Sequence, residues 1–136
     1  MQIVATVVAR PLEVCWRVFT DPATMAAWVP GLRVATLVTA RPDGLPEEIH
    51  FEYVGALVYS LVYTYDIAEH VIRWEPREAA RGGVRGFARF SPVEAGSVEL
   101  TYAIEHDGGR KAAERALDDP RLLVEAFARR MHEDRD

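Results

Sequence analysis

The groups with which this chain could do ionisable chemistry are four histidines, one cysteine and a scatter of acidic residues, and their spacing withholds it. His50, His70, His106 and His132 stand singly, without the HxH or HExxH spacing that places two imidazoles on one metal ion. Glu48, Glu52, Glu99 and Glu105 share the outward parity of their strands, so no two carboxylates meet on an inward face as a general acid and base. His50 and His106 face water by the same reading. Cys15 lies beside Trp16 on an apolar helical stripe and reads as a small core residue rather than a nucleophile. Gly82-Gly83 and Gly108-Gly109 are turns, because no phosphate-binding helix pattern follows either pair. What remains is aromatic: tyrosines, phenylalanines and tryptophans on alternating strand positions, with phenolic hydroxyls as the abundant polar handle.

The elements that position these residues begin with a β-branched strand from Gln2 to Ala9. Pro11 then opens a helix whose Leu12, Cys15, Trp16 and Phe19 recur at i, i+3, i+4 and i+7, so that face must be buried. Asp21-Pro22 is a second start signal, an N-cap carboxylate with proline at N1, and Met25, Trp28 and Val29 continue the stripe until Pro30-Gly31 stops it. Two short helices in a V are expected. Arg33 to Ala40 reads as a strand closed by Pro42-Asp43-Gly44, and Glu47 to Gly55 as one with Ile49, Phe51 and Tyr53 inward. Leu57 to Asp66 is apolar throughout. Either Tyr59, Leu61, Tyr63 and Tyr65 face inward or Val58, Ser60, Val62 and Thr64 do, the tyrosines being preferred. His70 to Glu75 and Val84 to Phe90 follow, the latter with Gly86, Ala88 and Phe90 inward, and then Val98 to Ile104 after a short Glu94-Ala95-Gly96 turn. Beyond Gly109 the period changes to that of a helix. Lys111 to Leu117 allows a turn or two, and Asp119-Pro120 caps a final helix with Leu123, Phe127, Arg130 and Met131 on one face.

This order resembles the START-like superfamily (SRPBCC, the helix-grip fold), and within it the polyketide cyclase/dehydrase-like branch. The likeness is carried by Ala9 and Pro11 to Val18, Thr20-Asp21-Pro22, Trp28-Val29-Pro30-Gly31, the Trp74 strand, Gly86 to Pro92 and Gly96 to Tyr102. It implies an α+β fold: a curved antiparallel sheet of about six or seven strands, two short helices after the first strand, and a long C-terminal helix across the concave face. It also implies a cavity between that helix and the sheet. The residues expected to line it are Phe51, Tyr53, Tyr63, Tyr65, Trp74, Phe90, Tyr102, Phe127 and Met131, with Arg130 at the mouth to meet a carboxylate or enolate. Taken singly, most of these aromatics would simply fill a core, and Arg130 would be solvated; only as a set do they describe a pocket.

At 136 residues the chain has the length of a single domain that buries a real core. A net charge of −5 with interspersed bases argues against nucleic acid, no apolar run reaches the length of a membrane span, and the N-terminus lacks a signal-peptide pattern, so a cytoplasmic location is the default. No metal and no cofactor is implied, and a homodimer is left open. Three functions fit: binding of a hydrophobic or aromatic small molecule in the cavity, a cofactor-independent cyclase/aromatase in which a tyrosine or arginine steadies an enolate, and a protein-interaction module of the chaperone-activator type with a solid core. A cavity above roughly 300 Å³ would favour the first two over the third, and a tyrosine or arginine tuned by a second polar group would favour catalysis over binding.

Overall fold

The computed structural model of the chain describes residues 1–77, 84–106 and 119–133. Seven antiparallel strands form one sheet: β1 (Gln2–Val8), β2 (Leu32–Ala40), β3 (Pro46–Tyr53), β4 (Val58–Asp66), β5 (Val71–Pro76), β6 (Val84–Glu94) and β7 (Ser97–His106). Their order is β1-β7-β6-β5-β4-β3-β2, which leaves β1 and β2 as the edges. Between β1 and β2 the chain makes the expected V, α1 (Leu12–Phe19) and α2 (Pro22–Trp28), and it closes with α3 (Pro120–Glu133). The helix-grip architecture is therefore as the sequence implies. Among the described residues no helix is long and apolar enough to cross a membrane.

Local chemistry accounts for most element boundaries. Asp21 accepts the Ala23 N–H at 2.9 Å with Pro22 at N1, and Asp119 accepts the Arg121 N–H at 2.9 Å ahead of Pro120, so both proline-led starts are side-chain capped. α2 ends where Pro30 forces Val29 into an extended conformation (ψ 123°), and Gly31 (φ 75°) reverses the chain into β2. β3 stops at Tyr53, two residues before its predicted end, because Gly55 (φ 77°) turns a short 3₁₀ segment over Val54–Ala56. β6 runs four residues past Phe90, so that only Ala95 and Gly96 separate it from β7.

α3 lies against β1 and β7 and touches α2. Its last turn is tied down: Arg10 donates to the Met131 carbonyl at 2.7 Å, and the Ala9 N–H donates to His132 Nε2 at 3.1 Å. Gly86 shapes the sheet beneath. A Cβ built there would sit 1.9 Å from the Ala103 carbonyl oxygen of β7, so the two strands approach at that point more closely than any side chain allows. The glycine pair Gly82-Gly83, Gly108-Gly109 and the turn expected over Lys111 to Leu117 lie outside the described residues.

Candidate functional site

Strand parity puts one face of β3, β4, β5 and β7 toward the helices, and a cavity opens there under α1 and α2, with Leu123 of α3 also on its wall. Its wall includes Phe19, Thr20, Met25 and Trp28 from the helical V, Ile49, Phe51 and Tyr53 from β3, Tyr59, Leu61, Tyr63 and Tyr65 from β4, Ile72 and Trp74 from β5, and Tyr102 from β7. The tyrosine-inward alternative for β4 is the one adopted. All five tyrosines of the chain line this one space. No charged side chain does, among the described residues.

The cavity is small. Its free volume is about 60 Å³, well under the 300 Å³ expected of a ligand-sized space, because the tyrosine and tryptophan rings lean on one another across it. Trp74 lies 5.3 Å from Tyr102 and 6.2 Å from Tyr63, while Tyr53 stacks on Tyr59 at 5.5 Å. Outside it lies a groove of about 480 Å³, floored by Ala35, Leu37, Leu45 and Pro46 and walled by Arg17 and Asp21. Thr20 and Pro46 border both spaces, so the groove adjoins the cavity at the α1–α2 corner. The seam between them is held by Tyr65, whose hydroxyl donates to the Pro46 carbonyl at 2.6 Å and whose ring carries the Arg41 guanidinium 5.0 Å above its centre.

Hydrogen bonding and burial condition the phenols. Tyr59 donates to the Tyr53 hydroxyl at 3.1 Å. Burial pushes the Tyr63 hydroxyl to a pKa well above the ordinary tyrosine value, with its neighbours Tyr102 and Tyr65 adding to the effect. Tyr65 is raised too: burial outweighs the lowering by Arg41, and Asp43 adds to the rise. Phenolate formation at Tyr63 and Tyr65 is thus disfavoured, which suits orientation of a ligand rather than proton transfer at these two tyrosines. Cys15 is fully buried behind this wall, and burial pushes its thiol up to about 11 against a smaller lowering by Arg10.

Of the ten residues singled out from sequence, Phe51, Tyr53, Tyr63, Tyr65, Trp74 and Tyr102 are brought together around the cavity. Phe90, Phe127 and Met131 are not on its wall; they are almost wholly buried in packed core, where Phe90 meets Trp16, Phe19 and Phe127 ring to ring. Arg130 is half-buried on α3, away from both cavity and groove. Sequence reasoning left Phe19, Thr20, Met25 and Trp28 of the helical V off the cavity lining, although Phe19, Met25 and Trp28 stood on its apolar stripe. It also missed Glu48, which keeps its outward parity yet is only 7% exposed because Arg77 lies over it and donates to its carboxylate at 2.6 Å. His50 is half-buried, with Nδ1 2.9 Å from the Ser60 hydroxyl on the neighbouring strand. Among the described residues no three histidine, cysteine or carboxylate side chains converge as a metal cluster.

The family model for polyketide cyclase/dehydrase and lipid transport matches residues 1–134. Among solved structures, a START superfamily protein from Mycobacterium smegmatis superposes with a TM-score of 0.77 at 15% identity, covering 97% of each chain. The two-domain aromatase/cyclase StfQ of the steffimycin pathway gives 0.76 at 19% identity, covering 99% of this chain and 47% of its own, so the present chain spans about half of it. The ZhuI aromatase/cyclase from a Streptomyces strain gives 0.68 at 16% identity, with coverage of 96% and 92%. At such identities the likeness is one of fold. No curated protein matches the chain significantly.

Proposed function

Because the chain belongs to the polyketide cyclase/dehydrase and lipid transport family, we propose that it binds a hydrophobic, ring-containing small molecule in the tyrosine-lined cavity. The observation that carries this reading is the gathering of all five tyrosines onto one interior surface. A core packed only for stability would use leucine, isoleucine or phenylalanine there, because every phenol brought inside needs a partner for its hydroxyl. Tyrosine hydroxyls set in a largely apolar wall orient a flat ligand while the rings bury its faces. On this reading the volume of about 60 Å³ belongs to a closed form. Ligand-sized space is created when rings rotate outward and the cavity merges with the adjoining groove across the Tyr65–Pro46 seam.

Catalysis of the aromatase type is the second reading, and the fold shared with two aromatase/cyclases favours it. Weighing against it, Tyr63 and Tyr65 are neutral phenols of raised pKa, and among the described residues the inner wall has no cationic group to hold an enolate. The interaction-module reading draws support from the small volume and none from the lining.

Titration with the uncharged probe N-phenylnaphthylamine separates these. The expected result is saturable one-to-one binding with a fluorescence rise, lost on Tyr63→Trp, and a co-purifying small molecule in native mass spectra of protein from its own host. Absence of any saturable binding, with an empty native spectrum, would discard the small-molecule reading in favour of the packed interaction module.

A further inference from the structure

The tyrosine cavity and the groove beside it are two lengths of one surface. Ala35 and Leu37 of β2, which floor the groove, lie directly across the strand pair from Phe51 and Ile49 of β3, which wall the cavity. Residues opposite one another in an antiparallel pair face the same side, so the inward face of the sheet continues from one space into the other. Its chemistry changes on the way. Rings crowd the cavity wall, whereas among the described residues no aromatic side chain lines the groove, whose floor is alanine, leucine and proline. Leu37 is 45% exposed there while its partner Ile49 is wholly buried.

The polar groups are divided as well. Tyrosine hydroxyls stand in the cavity, while on the helical wall of the groove Asp21 has its carboxylate engaged as the α2 cap and Arg17 lies beside it in the chain's previous turn. An amphiphile accordingly seats a polar ring inward and lays an apolar chain outward, along the aliphatic floor. At about 480 Å³ the groove has the volume for a chain of several carbons, which the cavity of about 60 Å³ lacks. Its hairpin end is open, since nothing lies within 4 Å of the place a Cβ on Gly44 would take.

Building on the small-molecule reading above, we infer that the groove is a second subsite and that the ligand is a ring compound carrying an uncharged aliphatic chain, the ring lying among the tyrosines and the chain over Ala35, Leu37 and Leu45. The chain leaves the cavity at the corner that Thr20 and Pro46 share, past the Tyr65 hydroxyl. Chain length then sets affinity, and the tyrosines set which ring is accepted.

Para-ethylphenol and para-hexylphenol test this by calorimetric titration, being the same ring with four methylenes between them. A methylene fully removed from water is worth about fourfold in affinity, and one half covered on an open floor about twofold, or about sixteenfold over four. The expected result is that the hexyl compound binds at least fivefold tighter, one to one, and that Leu37→Gln cuts this ratio at least threefold. Ala23→Glu, on the exposed α2 wall of the groove, does the same should Leu37→Gln fail to fold, because an acid in the first helical turn is favourable. In methyl NMR spectra the Leu37 and Leu45 signals should move with the hexyl compound and stay with the ethyl one. A parent ratio below fivefold, a ratio that both substitutions leave alone, leucine signals that the hexyl compound does not move, or failure of both phenols to bind while N-phenylnaphthylamine binds would overturn the groove as a subsite and leave the small-molecule reading standing. If the parent protein binds none of the three probes, that reading fails and this inference with it.

Discussion

Replacing Gly86 by alanine asks whether the curvature of the sheet rests on one missing side chain. The new Cβ would lie 1.9 Å from the Ala103 carbonyl oxygen, where contacts below 3.0 Å are essentially never seen, so β6 and β7 would have to part locally by about 1 Å. The obstacle is backbone, which has no rotamer to move into. Overpacking of this kind costs about 1–3 kcal/mol and sometimes more, and a clash against main chain within the longest strand pair belongs at the upper end, about 3 kcal/mol. For a chain of 136 residues that corresponds to a fall in Tm of about 10 °C and, with an m-value of about 2 kcal/mol/M, in urea midpoint of about 1.5 M. Gly44→Ala supplies the comparison. Its φ is +91° and nothing lies within 4 Å of the added methyl, so it costs only the backbone strain, about 1 kcal/mol. Because Gly86 is in register with Trp74 on one side and Ile104 on the other, the relaxation should also reach a cavity wall and alter the near-ultraviolet circular dichroism of the aromatic set. A Gly86→Ala protein within 1 kcal/mol of the parent, or less damaged than Gly44→Ala, would refute the reasoning.

Two further outcomes are expected. Phe127→Ala removes a fully buried ring packed edge-on against Phe19 and Trp28 and should cost about 3–5 kcal/mol by urea denaturation; a loss of probe binding with stability intact would instead return Phe127 to the ligand site. Stability should fall as the pH rises above 9. The unfolded thiol of Cys15 gives up its proton near the ordinary value of 9.0 while the folded one holds it to about 11, so the unfolded state binds fewer protons throughout that window and unfolding is favoured. Tyr63 and Tyr65, raised in the same direction, prolong the decline above pH 10. Urea midpoints measured from pH 8 to 11 check this: Cys15→Ala should flatten the early part of the fall, and a parent protein with constant midpoints would contradict the assigned burial.

Much of this architecture could be read directly from residue order. The two proline-led helix starts at Pro22 and Pro120 follow from an N-cap carboxylate and a fixed φ, both purely local causes. The inward faces of β3 and β7 follow from period-2 alternation, which needs no knowledge of the partner strand. β4, apolar on both faces, could not be assigned so firmly, and its tyrosines are inward because β3 and β5 hold it in register beside Phe51 and Trp74.

What alternation cannot say is which part of a concave face lies under which helix. Phe90 and Trp74 share the inward parity of neighbouring strands, yet Phe90 is sealed beneath α1 and the Phe127 ring of α3 while Trp74 borders open space. The same holds for Met131 and for Arg130. Glu48 kept its outward parity and was nonetheless buried, since Arg77, distant in sequence, folds across it. The membership of Trp28 in the cavity wall, the closeness of the rings and hence the small free volume all depend on how three helices seat against a curved sheet. Those are contacts between elements, decided by packing over long sequence separations. Periodicity within a single element carries the side a residue faces, and nothing about what it finds there.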